Sequence, residues 1–106
     1  MARYLWQVSY TTEGIRGLRK EGGTSRAAAI AALAKSNGGK LESFDFAFGD
    51  DDVYLIAELP GHVEAAAIAL AVAASGAARI KTVVLLTPAE VDQAVKVDVG
   101  YRAPGA

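Results

Sequence analysis

Few residues of this chain could do chemistry: one histidine, a run of three aspartates, and a glycine pair leading toward an arginine. Asp50-Asp51-Asp52 offers carboxylate oxygens, the ligands that hard divalent cations take. Side chains of consecutive extended residues point to opposite faces, however, so the three cannot all converge on one ion. Turns also favour aspartate, which bonds its own nearby backbone. Asp52 is therefore read as a structural residue accepting backbone N–H bonds across the turn, and no metal is expected.

His62 directly follows Gly61 at the start of a helix. A neutral imidazole beside a pocket could serve as a general base, and Tyr54 is the second candidate for that role. With no cysteine in the chain and no evident serine partner for His62, no nucleophilic triad can be assembled. An exposed first-turn histidine is the simpler reading. Gly22-Gly23-Thr24-Ser25-Arg26 could cradle an anion at a helix N-terminus. It lacks the lysine and spacing of a phosphate loop, and a break between helices accounts for it.

Tyr4, Trp6 and Tyr10 share one face of an alternating segment, and Leu5, Gln7 and Ser9 share the other. If the aromatic face meets a partner sheet, it lines a cavity for a flat apolar ligand. If it meets the helices, it is core, and the Gln7 and Ser9 face lines the cavity instead. The sequence leaves the choice of face open, although aromatic bulk against alanine-rich helices favours core for Trp6. The candidate ligand contacts are Trp6, Gln7, Ser9, Phe44, Phe46 and Tyr54.

The elements that must position these residues are legible from period and punctuation. Arg3 to Tyr10 has the two-residue period of a strand. Thr11 or Thr12 opens a helix with Glu13 in its first turn, where the positive helix end favours an acid. Gly22-Gly23 interrupts, and Thr24 or Ser25 restarts a helix striped by Ala27, Ile30, Leu33 and Ala34. Asn37-Gly38 ends it. Strands are expected from about 40 to 47 and from about 52 to 59, and the short Gly49-Asp50-Asp51 connection makes them antiparallel neighbours. After Pro60-Gly61 a helix runs from about 62 to 75, then a strand from 79 to 86. Thr87-Pro88-Ala89-Glu90 has the cap, the proline and the glutamate of a helix start, and that helix ends near Ala94. Beyond it, Val95, Val97 and Val99 alternate with Lys96 and Asp98. An extra edge strand over 95–99 is expected there, with a frayed terminus as the alternative.

The order is β-α-β-β-α-β, the α+β ferredoxin-like arrangement, with one four-stranded antiparallel sheet and helices on one face. Residues 1–94 form the single domain and 95–106 a tail. The hairpin strands read as apolar on both sides, with Leu41, Val53, Leu55, Ala57 and Leu59 set against Phe44, Phe46, Phe48, Tyr54 and Ile56. Monomers rarely leave such a face in water. A second copy, packed sheet to sheet about a two-fold axis, is the expected cover, giving a homodimer or an assembly of dimers. The helix from 62 to 75 carries Glu64 as its one formal charge, so it is either buried on several sides or an exposed alanine helix.

The hairpin resembles the GYD domain family. Gly38-Gly39-Lys40-Leu41 and Ser43-Phe44 match that family's opening, Gly49 and Asp52 its turn, and Val53 through Glu58-Leu59-Pro60 its exit. Tyr10-Thr11 and Gly14-Ile15 match the end of its first strand and the start of its first helix. The likeness spans about residues 3 to 94. Asp51 stands where the family has tyrosine, so any chemistry of that hydroxyl is lost here. The resemblance implies a fold similar to the dimeric α/β-barrel proteins. These include cofactor-free monooxygenases, chlorite dismutase-like haem proteins, small-molecule sensor domains and muconolactone isomerase-like enzymes. Fold likeness alone assigns none of these activities.

Composition narrows the classes further. The 106 residues suffice for one domain. A net charge of −1, with Arg16, Arg19 and Lys20 flanked by Glu13 and Glu21, reads as a solvated helix face and not as a nucleic-acid surface. The longest apolar run, Ala65 to Ala74, is too short for a membrane span, which needs about 20 residues. With no signal-like N-terminus, a cytoplasmic protein is expected. No cofactor is expected, and haem is disfavoured because the one histidine starts a helix. The leading functional expectation is a homodimer that binds a small organic ligand in an apolar cavity. A cofactor-free oxygenase or isomerase using His62, Tyr54 or an acid is the second reading. A structural or regulatory oligomer without ligand is the third.

Overall fold

The computed structural model describes residues 1–106. The elements follow the expected order: β1 (Ala2–Tyr10), α1 (Thr12–Glu21), α2 (Gly23–Ser36), β2 (Lys40–Phe46), β3 (Val53–Leu59), α3 (His62–Ala74), β4 (Ala78–Leu85) and α4 (Pro88–Ala94). The four strands form one antiparallel sheet in the order β2-β3-β1-β4, the ferredoxin-like topology. The breaks fall where the sequence places them. Thr11 caps α1 by accepting from the Gly14 N–H, Gly22 separates α1 from α2, and Thr87 and Glu90 form a reciprocal capping box on α4.

The core lies between the sheet and the helices. Tyr4, Trp6 and Val8 of β1 and Val53, Leu55, Ala57 and Leu59 of β3 are buried on that side, together with Ala65 and Ile68 of α3. The aromatic face of β1 is thus the core face, and Leu5, Gln7 and Ser9 lie on the face that no helix covers.

The two-sided apolar reading of the hairpin is corrected by a β-bulge. Leu41 pairs with Ala57 and Ser43 with Ile56, which leaves Glu42 as an extra residue in β2. The bulge shifts the phase of alternation, so Leu41, Phe44 and Phe46 all pack against the core instead of facing apart. The uncovered face is consequently mixed. Leu5, Ile56 and Val83 lie side by side across β1, β3 and β4, flanked by charged and polar residues. Glu42 itself reaches Arg3 of β1 with a two-pronged ion pair, Arg3 Nε to Oε2 at 3.1 Å and Nη2 to Oε2 at 2.9 Å, with Nε to Oε1 at 3.2 Å. These bonds hold the Glu42 carboxyl below its ordinary pKa.

Gly39 sits where the chain enters β2, and a side chain there would overlap the Glu58 carbonyl oxygen and the Leu59 side chain. Only the missing Cβ lets the two strands close at this point.

Of the two readings of α3, the exposed alanine helix is the one observed: it buries Ala65 and Ile68 but exposes Val63 and Leu70, so it packs by one side only. One expectation changes at the C-terminal end. No strand forms over 95–99. Val95 to Val97 make the turn that closes α4, with Lys96 and Val97 N–H groups bonded to Gln93 and Ala94 carbonyls, and the following residues pair with no strand edge. Every residue from Pro88 to Ala106 is exposed. The radius of gyration is 16.8 Å, against roughly 13 Å for a compact chain of about this length. The projecting C-terminal segment accounts for the excess. No helix is long and apolar enough to cross a membrane.

Candidate functional site

α2 and α3 carry so much alanine that they cannot fill the space above the sheet. α2 packs over β2 and the adjoining part of β3, α3 packs over β4 and its own part of β3, and the two helices barely touch each other. Between them lies a cleft of about 400 Å³, within the size range of small-molecule pockets. Trp6, Phe44 and Leu55 form its floor, Ile30 and Leu33 one wall, and Ile68 and Val72 the other. Of its 19 lining residues, 17 are apolar, so the polar side chains are Arg26, Ser75 and the hydroxyl end of Tyr10. The Ser75 hydroxyl is already committed, donating to the Val72 carbonyl and accepting from the Ala77 N–H.

The floor is held rigidly. The Trp6 indole N–H donates to Thr82 Oγ1 at 2.7 Å, which satisfies its one polar atom. Its ring lies near-parallel to that of Tyr4, with centroids 6.3 Å apart. The Tyr10 phenol is half-buried, and burial pushes its pKa up, so it stays a neutral donor.

The sequence-predicted residues divide between two faces. Trp6 and Phe44 line the cleft. Phe46 packs on Phe44 and stacks on Phe48, outside the cleft. Gln7, Ser9 and Tyr54 stand on the opposite, uncovered face of the sheet, so the six candidates do not form one site. His62 also lies outside the cleft. Its Nδ1 is 2.6 Å from the hydroxyl of the buried Tyr4, beside a shallow groove between α3 and β4 that Leu70 and Val84 share. Neither candidate base, His62 or Tyr54, reaches the cleft.

The three aspartates do not converge. Asp52 accepts the Tyr10 N–H at 2.8 Å, so its backbone-binding role is real, though its partner is β1 and not the turn itself. Asp51 is buried and turns to the uncovered face, where Ser9 Oγ donates to it at 2.9 Å and Lys81 Nζ at 3.0 Å. The Gln7 amide lies at 3.5 Å. The Lys81 bond above all, then Ser9, holds the Asp51 carboxyl below its ordinary range. No group of three or more histidine, aspartate or glutamate side chains is gathered as metal ligands.

Two residues escaped the sequence reading. Arg26 was visible only as part of a glycine-rich break, yet it stands four residues before Ile30 on the stripe that also holds Leu33 and Ala34. A charge at that phase is the signal that it belongs to the cleft. The burial of Asp51 had no local signal, because its partners come from β1 and β4.

No curated protein and no solved structure matches the chain. The family model of the GYD domain matches residues 4–95, which takes in all of the sheet but the first two residues of β1, together with the cleft and the Asp51 cluster. The chain is a member of the GYD domain family.

Proposed function

We propose that this protein binds a small apolar molecule in the cleft between α2, α3 and the sheet. The observation that carries the reading is the cleft itself: about 400 Å³ of space, almost wholly apolar in lining, on a rigid floor. Filling it removes apolar surface from water on both ligand and protein, which favours binding. Catalysis is the weaker reading, because His62 and Tyr54 stand elsewhere and the cleft holds no carboxylate or imidazole to move a proton. Trp6 is the only tryptophan and lies in the floor, so its emission reports occupancy directly. Titration with 1-decanol should shift that emission saturably and raise the melting temperature, and native mass spectrometry of fresh protein should find added mass. A bare chain with neither response would favour a protein without ligand.

The same proposal includes a second copy on the uncovered sheet face. The row Ile56, Leu5 and Val83 runs across adjacent strands without a helix above it. The exposed Val95, Val97, Val99 and Tyr101 add apolar surface that the single chain leaves in water. Sedimentation should find a dimer at micromolar concentration, and Ile56→Asp should dissociate it. A wild-type monomer under those conditions removes this part of the proposal and leaves the cleft untouched.

A further inference from the structure

We infer that the ligand of the cleft is a monocarboxylate with an apolar body, its head group held by Arg26 and its chain or ring lying over Trp6. The inference rests on the binding function proposed above and names its ligand class.

The cleft is one-sided in charge. Arg26 is the only ionisable side chain besides Tyr10 in its lining, and no acid is present there to receive an amine. The guanidinium offers five donors in a planar fork that matches a carboxylate. None of them makes an aligned hydrogen bond within the chain. Arg26 Nε lies 3.2 Å from Glu21 Oε1, an ion-pair distance, but its N–H is not aimed at the oxygen. It is the one buried side-chain nitrogen or oxygen in the protein without a hydrogen-bond partner. Buried donors are normally satisfied, so this one marks a place for an acceptor.

The surroundings add to the same polarity. Arg26 stands in the first turn of α2, which has no side-chain cap and no acidic residue to offset the positive helix end. Tyr10 lines the same cleft, and its hydroxyl makes no hydrogen bond within the chain and lies close enough to Arg26 to feel its charge. Tyr10 also feels Asp52, which its own N–H engages, and Glu21; of these only Glu21 contacts Arg26. Glu21 is partly exposed, and a screened surface pair of this kind is weak, so a carboxylate in the cleft can displace it.

The test compares decanoate, 1-decanol and decylamine, three probes with one apolar chain length and three head groups. Trp6 emission and thermal shift are read at pH 7. Decanoate should bind about tenfold more tightly than decanol, the worth of one charge-assisted contact. Decylamine should bind most weakly. Arg26→Gln should bring decanoate and decanol within about twofold of each other, and Arg26→Lys should restore part of the gap. Glu21→Gln, which frees the guanidinium, should widen it. Far-UV circular dichroism checks that each variant is folded. Equal binding of decanoate and decanol by the wild-type protein, or a preference for decylamine, overturns the carboxylate assignment while the cleft reading stands. Failure of all three probes to bind overturns both.

Discussion

Asp51 and Lys81 meet at 3.0 Å on the uncovered face of the sheet, the carboxylate buried and the lysine mostly in solvent. The pair joins the β2–β3 turn to the edge strand β4 over the top of β1, where Ser9 and Gln7 complete the set. Asp51 is thus a charged tie between three segments.

The tie predicts a pH dependence. The folded state lowers the Asp51 pKa below the ordinary 3.8. Its contribution to stability is therefore present in full above that value and is lost as pH falls through the lower folded value. Melting temperature should fall on acidification across that window. Asp51→Asn should be less stable at pH 7 and should show a flatter acid limb; parallel acid limbs in the two proteins would refute the linkage.

The bulge predicts the effect of a deletion. Removing Glu42 makes Leu41 and Ser43 neighbours, so β2 pairs with β3 in regular register while Leu41 and Phe44 keep the core side and Lys40 the outer one. What is lost is the Arg3 ion pair, a partly exposed contact worth about 1 kcal/mol or less. Urea denaturation should find the deletion variant within about 1 kcal/mol of wild type. A much larger loss would mean that the bulge itself sets the bend of β2 that the core requires.

The Tyr4–His62 bond predicts an asymmetry. Tyr4 is almost wholly buried whereas His62 is exposed. His62→Ala strands a buried hydroxyl and should cost about 1–3 kcal/mol, whereas Tyr4→Phe removes the hydroxyl and should cost about 1 kcal/mol or less. The double variant should resemble Tyr4→Phe plus only the loss of the imidazole's own packing. A catalytic histidine would instead show little stability change and a loss of turnover.

The cleft predicts that it can be plugged. Ala71 of α3 lines it and tolerates bulk on that side because the neighbouring space is empty. Ala71→Phe should fold with unchanged or raised melting temperature and should abolish the decanol response of Trp6. Unaltered binding in that variant would place the probe elsewhere.

The order of elements was legible because it rests on local signals: period-two aromatics in β1, threonine caps at Thr11 and Thr87, and glycine at Gly22 and Gly38. The faces were less so. Leu41 to Phe44 is a spacing of three amid spacings of two, and that change of phase is the sequence trace of the bulge. Without pairing partners it could not be told from a strand with two apolar sides. The cleft left no local trace at all, because it arises from two helices that fail to meet. Trp6 and Phe44 were identified as candidate contacts, but only the fold separates them from Gln7, Ser9 and Tyr54. Asp51 needed three segments distant in sequence to become a buried ion.

The stretch from Pro88 onward touches so little of the sheet that folding of the lone subunit gives no reason for its valines and Tyr101. A chain shortened after Leu86 should melt at the same temperature as the intact one. Any contribution those side chains make lies outside the stability of the single subunit.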